Sequence, residues 1–183
     1  MISGLAVSTP QATGDAGICS RVYHKPPLAN AGPGPPPLLI GDSVVGFGMK
    51  QLQRLGYRIN AQGCRTFARG ITALKREARK RPLPKLVVFE LGTAGKANLG
   101  MVEKVLNILG PNRRLALVTP RKFLGGVDPD AAVYHAAAAQ DPRVKVIKWA
   151  ERSEPYPNWF HPDLVHPNDR GVKAFTKMLA AVL

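Results

Sequence analysis

Acidic residues are scarce in this chain. Its 12 aspartates and glutamates face 26 lysines and arginines, for a net charge of +14 and a pI of about 10.3. That imbalance points to anionic surroundings: nucleic acid, anionic lipid or an acidic cell-surface polymer. The signatures of nucleic-acid modules are missing, however. There is no zinc-finger spacing, no aromatic RNP-like segment and no basic zipper, so nucleic-acid binding rests on charge alone and is not expected. The basic run Arg76, Arg79, Lys80 and Arg81 reads as a solvated helix end. No stretch of 18 apolar residues occurs, which excludes a membrane-spanning helix. The N-terminus lacks a basic start followed by an apolar run, and Ile18 is too bulky for the Ala16-Gly17-Ile18-Cys19 segment to be a lipoprotein signal. The expectation is a mature or excised piece whose targeting segment is missing. No internal repeat is visible.

Cysteine is nearly absent too. Cys19 and Cys64 read either as two unrelated thiols or as one disulfide tying an N-terminal arm to the domain. Closing a loop of that length stabilises by roughly 4 kcal/mol in the chain-entropy model. Two cysteines do not establish a redox compartment, but this placement leans towards an extracytoplasmic one: secreted, periplasmic or cell-surface.

What is present is globular, with 45% hydrophobic and 21% charged residues. Residues 1–37 hold seven of the 17 prolines and only three charges, Asp15, Arg21 and Lys25, so they read as an arm or linker. Pro33-Gly34-Pro35-Pro36-Pro37 is a stiff lead-in that suits neither helix nor central strand. Residues 38–183 then alternate strand and helix. Strands are expected at 38–40, 57–61, 86–91, 115–118 and 144–147. Helices are expected from 44 to 55, from 67 to Pro82, over 99–109 and 130–140, and after Asn168 or Asp169. A long loop is expected to carry Trp149, Trp159 and Phe160. The run 86–91 is continuously apolar bar Glu90, as a buried parallel strand should be. The fold class is therefore α/β: a five-stranded parallel sheet between helix layers.

In such sheets the site lies beyond the carboxyl ends of the strands. Four turns fall there: Gly41-Asp42-Ser43, Gly63, Gly92-Thr93-Ala94-Gly95 and Asp163-Leu164-Val165-His166. A serine on a tight turn that opens a helix has its hydroxyl lifted clear of the sheet. The helix N-terminus also favours negative charge developing nearby. Alone, Ser43 reads equally well as a helix cap. Asp163 and His166, three residues apart, supply the carboxylate and imidazole that a serine nucleophile needs. His161 is the rival imidazole, but it does not stand three residues after an aspartate. His24 and His135 read as structural or exposed, and Asp42 as a turn residue.

Over residues 38–183 these blocks resemble the SGNH (GDSL-like) hydrolase family. The run from Trp159-Phe160 through Asp163-Leu164-Val165-His166-Pro167 is most similar to the extracytoplasmic SGNH domains fused to acyltransferase-3 membrane proteins. The resemblance implies a three-layer, flavodoxin-like SGNH fold and a serine esterase or O-acetyltransferase. Its substrate would be O-acetyl groups of peptidoglycan or surface polysaccharide. Ser43 would be nucleophile, His166 base and then acid, and Asp163 the orienting carboxylate. The main-chain N–H groups of Ser43 and Gly63 would form the oxyanion hole. No cofactor or metal is implied. The expected partners are the polymer and a membrane acyltransferase-3 domain as acyl donor, with the chain itself a monomer. One departure stands out: Ala94 occupies the position where the family has asparagine, whose amide is the third oxyanion donor. Three accounts compete: two backbone donors suffice, another group substitutes (Asn98 and Asn158 by residue type), or the domain is weakened and binds anionic glycan without turnover.

Overall fold

The computed structural model describes residues 16–29 and 33–183, so residues 1–15 and 30–32 of the expected arm lie outside the described residues. The five anticipated strands are β2 (Leu38–Gly41), β3 (Arg58–Gln62), β4 (Leu86–Glu90), β5 (Arg114–Val118) and β6 (Val144–Ile147). They pair in parallel in the order β3-β2-β4-β5-β6. Every residue of β2 and of β4 is buried, which explains a sequence that is apolar throughout but for Glu90.

Alternate residues of these strands face two separate cores. On one face Leu38, Ile40, Val87 and Phe89 meet the helices α3 (Phe67–Lys80), α4 (Leu99–Leu109) and α5 (Asp130–Gln140). On the other, Leu39, Ile59 and Val88 meet α2 (Ser43–Arg54) and α7 (Asp169–Ala180). The helices start where polar side chains can cap them. Asp42, Thr66, Asn98 and Asn168 each accept a hydrogen bond from an N–H of the following turn.

Two elements go beyond the sequence-based expectation. First, the arm contributes to the sheet: after the short helical turn α1 (Ala16–Cys19), strand β1 (Val22–Lys25) pairs antiparallel with β3, from Val22 opposite Gln62 to Lys25 opposite Ile59. The sheet therefore has six strands, five parallel and one antiparallel at its edge. Three of the four β1 residues are exposed, so the strand is held by main-chain hydrogen bonds and leaves no apolar alternation to read. Second, Trp149 opens a five-residue helix, α6 (Trp149–Ser153), rather than lying in a loop. Its ring is fully buried, 5.0 Å from Phe175 and 5.6 Å from Phe160.

Chain order reverses at β2: β3 lies on one side of it and β4 on the other. The crevice at such a switch point is where α/β sheets bind ligands. Here it falls between the end of β2, which runs into Ser43, and the end of β4, which runs into turn 92–95.

Candidate active site

Ser43 is the first residue of α2. Asp42, not Ser43, caps that helix, its Oδ1 accepting from the Val44 N–H at 2.9 Å. The serine hydroxyl is thereby free for other work. The turn is tight because Gly41 lies against the helix it launches: a Cβ there would stand 2.2 Å from Val45 Cγ2.

From the opposite side comes loop 163–166. Ser43 Oγ is 2.8 Å from His166 Nε2, and His166 Nδ1 is 2.7 Å from Asp163 Oδ2. Asp163 Oδ1 also accepts the N–H groups of Val165 and His166, both at 2.9 Å. With the carboxylate holding the Nδ1 proton, Nε2 presents its lone pair to the serine. Burial works against a charge on Asp163. The imidazole and the two main-chain donors outweigh it and hold the carboxyl below its usual range. Ser43, Asp163 and His166 are half-buried, so the site opens directly to solvent.

His161 does not join this chain. Its ring rests 5.4 Å from Phe47, its N–H donates to the His166 carbonyl, and its own carbonyl accepts from Leu164. His135 pairs with Glu151 at 2.8 Å, and His24 lies in the exposed β1 strand.

Two residues not anticipated from the sequence shape the site. Phe47, one helical turn after Ser43 and 41% exposed, places its ring 5.0 Å from that of His166. The i to i+4 spacing from the serine was the available signal. Arg121 is buried and clamps the loop from below. Its Nε donates to the Leu164 carbonyl at 2.8 Å, its Nη1 to Ser153 Oγ at 2.9 Å, and its guanidinium sits 4.1 Å above the Phe160 ring. Leu164 itself takes the left-handed conformation, φ 57°.

The expected oxyanion donors need one correction. The Gly63 N–H does not face the serine, because it donates to the Arg21 carbonyl at 2.9 Å, continuing the β1 pairing. Ala94 lies half-buried in turn 92–95, with no polar side-chain atom to offer. Asn98 is occupied in capping α4, its Oδ1 accepting from the Met101 N–H at 3.0 Å. Asn158 lies in the short 3-10 turn Pro157–Trp159, its carbonyl accepting from Asn168.

Beneath Ser43 two buried carboxyls meet, because register places Gly41 opposite Glu90. The Asp42 N–H donates to the Glu90 carbonyl at 3.2 Å and approaches Glu90 Oε2 at 3.4 Å. Burial pushes the Glu90 carboxyl well above its ordinary range, and the neighbouring Asp42 charge adds to this. Burial raises Asp42 as well, opposed by the bond from Val44. Glu90 is thus the member that keeps a proton. The unfolded chain releases that proton above about pH 4.5, so stability must fall as pH rises from there, by up to about 1.4 kcal/mol per pH unit. Glu90→Gln removes this contribution and supplies an N–H₂ for Asp42 Oδ2, which has no partner among the described residues. Thermal melts should show the variant gaining on wild type by a margin that widens as pH rises above about 5. Parallel curves would mean that Glu90 is ionised in the folded protein.

The fold recurs in solved structures. The chain superposes on the C-terminal catalytic domain of peptidoglycan O-acetyltransferase A from Streptococcus pneumoniae, solved with a methylsulfonyl adduct, at TM-score 0.71 and 24% identity over 82% of this chain and 93% of that one. A GDSL-like lipase from Bacteroides thetaiotaomicron matches at TM-score 0.61 and 14% identity, covering 80% of this chain and 86% of that one. The psychrotrophic esterase EstA from Pseudoalteromonas sp., inhibited by monoethylphosphonate, matches at TM-score 0.60 and 14% identity over 80% of this chain and 96% of that one. No protein-family model and no curated protein sequence matches. The protein has the SGNH/GDSL-like hydrolase fold.

Proposed function

We propose that this chain is a serine esterase or O-acyltransferase acting on O-acetyl groups of cell-wall or surface polysaccharide. The observation that carries the reading is the continuous hydrogen-bonded series from Ser43 Oγ through His166 to Asp163. Ser43 Oγ attacks the acyl carbon as its proton passes to His166 Nε2. The tetrahedral oxyanion collapses, and the departing alkoxide takes that proton back. The resulting acyl-serine is opened by water or by a sugar hydroxyl, again deprotonated by His166. Asp163 stays ionised throughout and steadies the imidazolium.

The class of substrate follows from charge and access. Cations at Arg69, Lys75, Arg76, Arg79 and Lys80 stand exposed on α3. The only acid of that helix, Glu77, is buried and bonded to Arg58 and Asn60. The α3 surface therefore suits an anionic polymer, and the open site suits a chain too long for a closed pocket. The Cys19–Cys64 disulfide supports an extracytoplasmic setting. There a membrane acyltransferase-3 partner would supply the acyl group.

The test is acetate release from p-nitrophenyl acetate with and without an oligosaccharide acceptor, using the Ser43→Ala chain as the blank. Serine-dependent turnover is expected. Acetyl appearing on the sugar makes the chain a transferase, and acetate alone makes it an esterase. A wild-type rate equal to the blank would remove the enzyme reading. A second reading, a weakened domain that holds anionic glycan without turnover, is favoured by Ala94. Ala94→Asn separates the two. Restoring a side-chain donor is expected to raise kcat by about tenfold or more, up to the 10²–10³ seen for single oxyanion donors. An unchanged kcat would mean that the transition state does not use this position.

A further inference from the structure

We infer that a trough between helix α3 and the β1–β3 edge of the sheet binds a linear polyanion and leads it to the edge that carries Ser43. The polyanion is a carbohydrate-based surface polymer with a phosphodiester or carboxylate in each repeat. The leading of substrate rests on the esterase reading; the binding does not. The floor of the trough is set by β3. Alternate strand residues face opposite sides. Ile59 and Ala61 belong to the core under α2 and α7, so Arg58, Asn60 and Gln62 face the α3 side. There Arg58 and Asn60 both bond to Glu77 of α3. Register sets His24 of the arm beside Asn60 and Val22 beside Gln62. Further into the sheet the same face carries Leu38, Ile40, Val87 and Phe89. It turns from apolar to polar at its β3–β1 edge.

Helix α3 is the wall. Arg69, Thr72, Arg76 and Lys80 fall at i, i+3, i+7 and i+11, one stripe along the helix. Two hollows of about 340 and 260 Å³ lie beside it. Arg65, Arg69 and Arg76 line the first, with Gln62; Lys25, Arg58, Lys80 and Arg81 line the second. The one acid in either lining, Glu77, is already bonded to Arg58. Arg58 Nη2 is buried and has no partner among the described residues. Helix stability does not account for these charges. Lys80 and Arg81 suit the C-terminal end of the dipole, but Arg69 stands in the first turn, where a cation is unfavourable and no acid offsets it. Burial holds the Arg65 guanidinium down at about 10; the Asp42 charge opposes this and the Arg76 charge adds to it. Crowded like charges of this kind are relieved by a bound anion.

The trough also points somewhere. Register puts Gly41 opposite Ala61, so the segment from Gln62 to Arg65 leaves the sheet at the edge where Ser43 opens α2. The stripe from Arg69 to Lys80 is about 16 Å long, longer than a single sugar. No phenylalanine, tyrosine or tryptophan lines either hollow, so nothing there stacks nucleic-acid bases. That favours a sugar or polyol polymer over a nucleic acid.

The experiment measures fluorescence anisotropy of labelled polygalacturonate and poly(glycerol phosphate) oligomers, with neutral dextran and a single-stranded DNA of the same charge as comparisons. None carries an acyl group, so binding is read without turnover. The chain is expected to bind at least one of the two polyanions and not dextran, and the tighter of the two identifies the anion. Arg69→Gln/Arg76→Gln should weaken that binding by about tenfold or more. Lys104→Gln/Lys173→Gln, which removes two exposed charges from α4 and α7, should leave it within about twofold. All four residues are exposed, and thermal melts check that both variants are folded. Equal weakening by the two pairs, DNA bound as tightly as either polymer, or no binding at all would overturn the inference and leave the esterase reading intact. Trough-dependent binding without Ser43-dependent turnover of p-nitrophenyl acetate would uphold the polyanion site and remove the esterase reading.

Discussion

Ser43→Ala is expected to lower kcat for p-nitrophenyl acetate by about 10⁴-fold or more and to leave the melting temperature almost unchanged. The two halves of the expectation have separate causes. Among the described residues Ser43 Oγ is the only hydroxyl bonded to His166 Nε2, so its removal leaves the base with nothing to activate but water. The helix, however, does not depend on it. Asp42 provides the cap, and alanine at the first helical position is at least as favourable as serine. Initial rates together with a thermal melt read both quantities. Retained turnover would place the nucleophile elsewhere, and a large drop in melting temperature would mean that the hydroxyl serves the fold.

Asp163→Asn should cost kcat a similar factor, about 10⁴, by a different route. The carboxylate accepts the Nδ1 proton of His166. An asparagine that turns its carbonyl towards the Val165 and His166 N–H groups presents its amide N–H₂ to Nδ1. The ring then carries its proton on Nε2, pointing at the serine oxygen it should deprotonate. Loop shape is expected to survive, because the carbonyl still takes those two main-chain bonds. Stability gives an independent readout with a definite sign. The folded Asp163 carboxyl sits below its ordinary value of 3.8, so its contribution is complete above that pH and is lost as pH falls through the folded value. The melting-temperature gap between wild type and Asp163→Asn should therefore be constant from neutral pH to about pH 5 and narrow at about pH 3. A gap that stays the same at low pH would mean that the carboxylate is not held by these bonds.

The parts of the site that could be read from residue types are those with short-range logic. Asp163 and His166 stand three apart on one turn, so their meeting is almost a local event. Ser43 follows an apolar strand and opens a helix, which fixes where its hydroxyl emerges. Phe47 was legible in the same way, through its spacing from Ser43. Arg121 was not: its clamp on loop 163–166 runs through the Leu164 carbonyl, Ser153 and the Phe160 ring, contacts that no local pattern encodes. Glu90 looked like one polar interruption in an apolar strand. Only the pairing of β2 with β4 sets it beside Asp42.

Gly63 shows the division most clearly. A glycine after the second strand is visible in the sequence, but the direction of its N–H depends on a partner 42 residues away, at Arg21. The sequence by itself determined the alternation of strands and helices, the parallel sheet and the serine, aspartate and histidine. Those follow from apolar periodicity, caps and side-chain chemistry, all carried by neighbouring residues. The tertiary structure alone decided that the arm adds a sixth strand and that this strand turns the Gly63 amide away from the serine. It also decided that Cys19 bonds to Cys64. These outcomes rest on main-chain hydrogen bonds and a cross-link between distant segments, and main-chain groups are the same in every residue, so their pairing leaves no mark on the order of side chains.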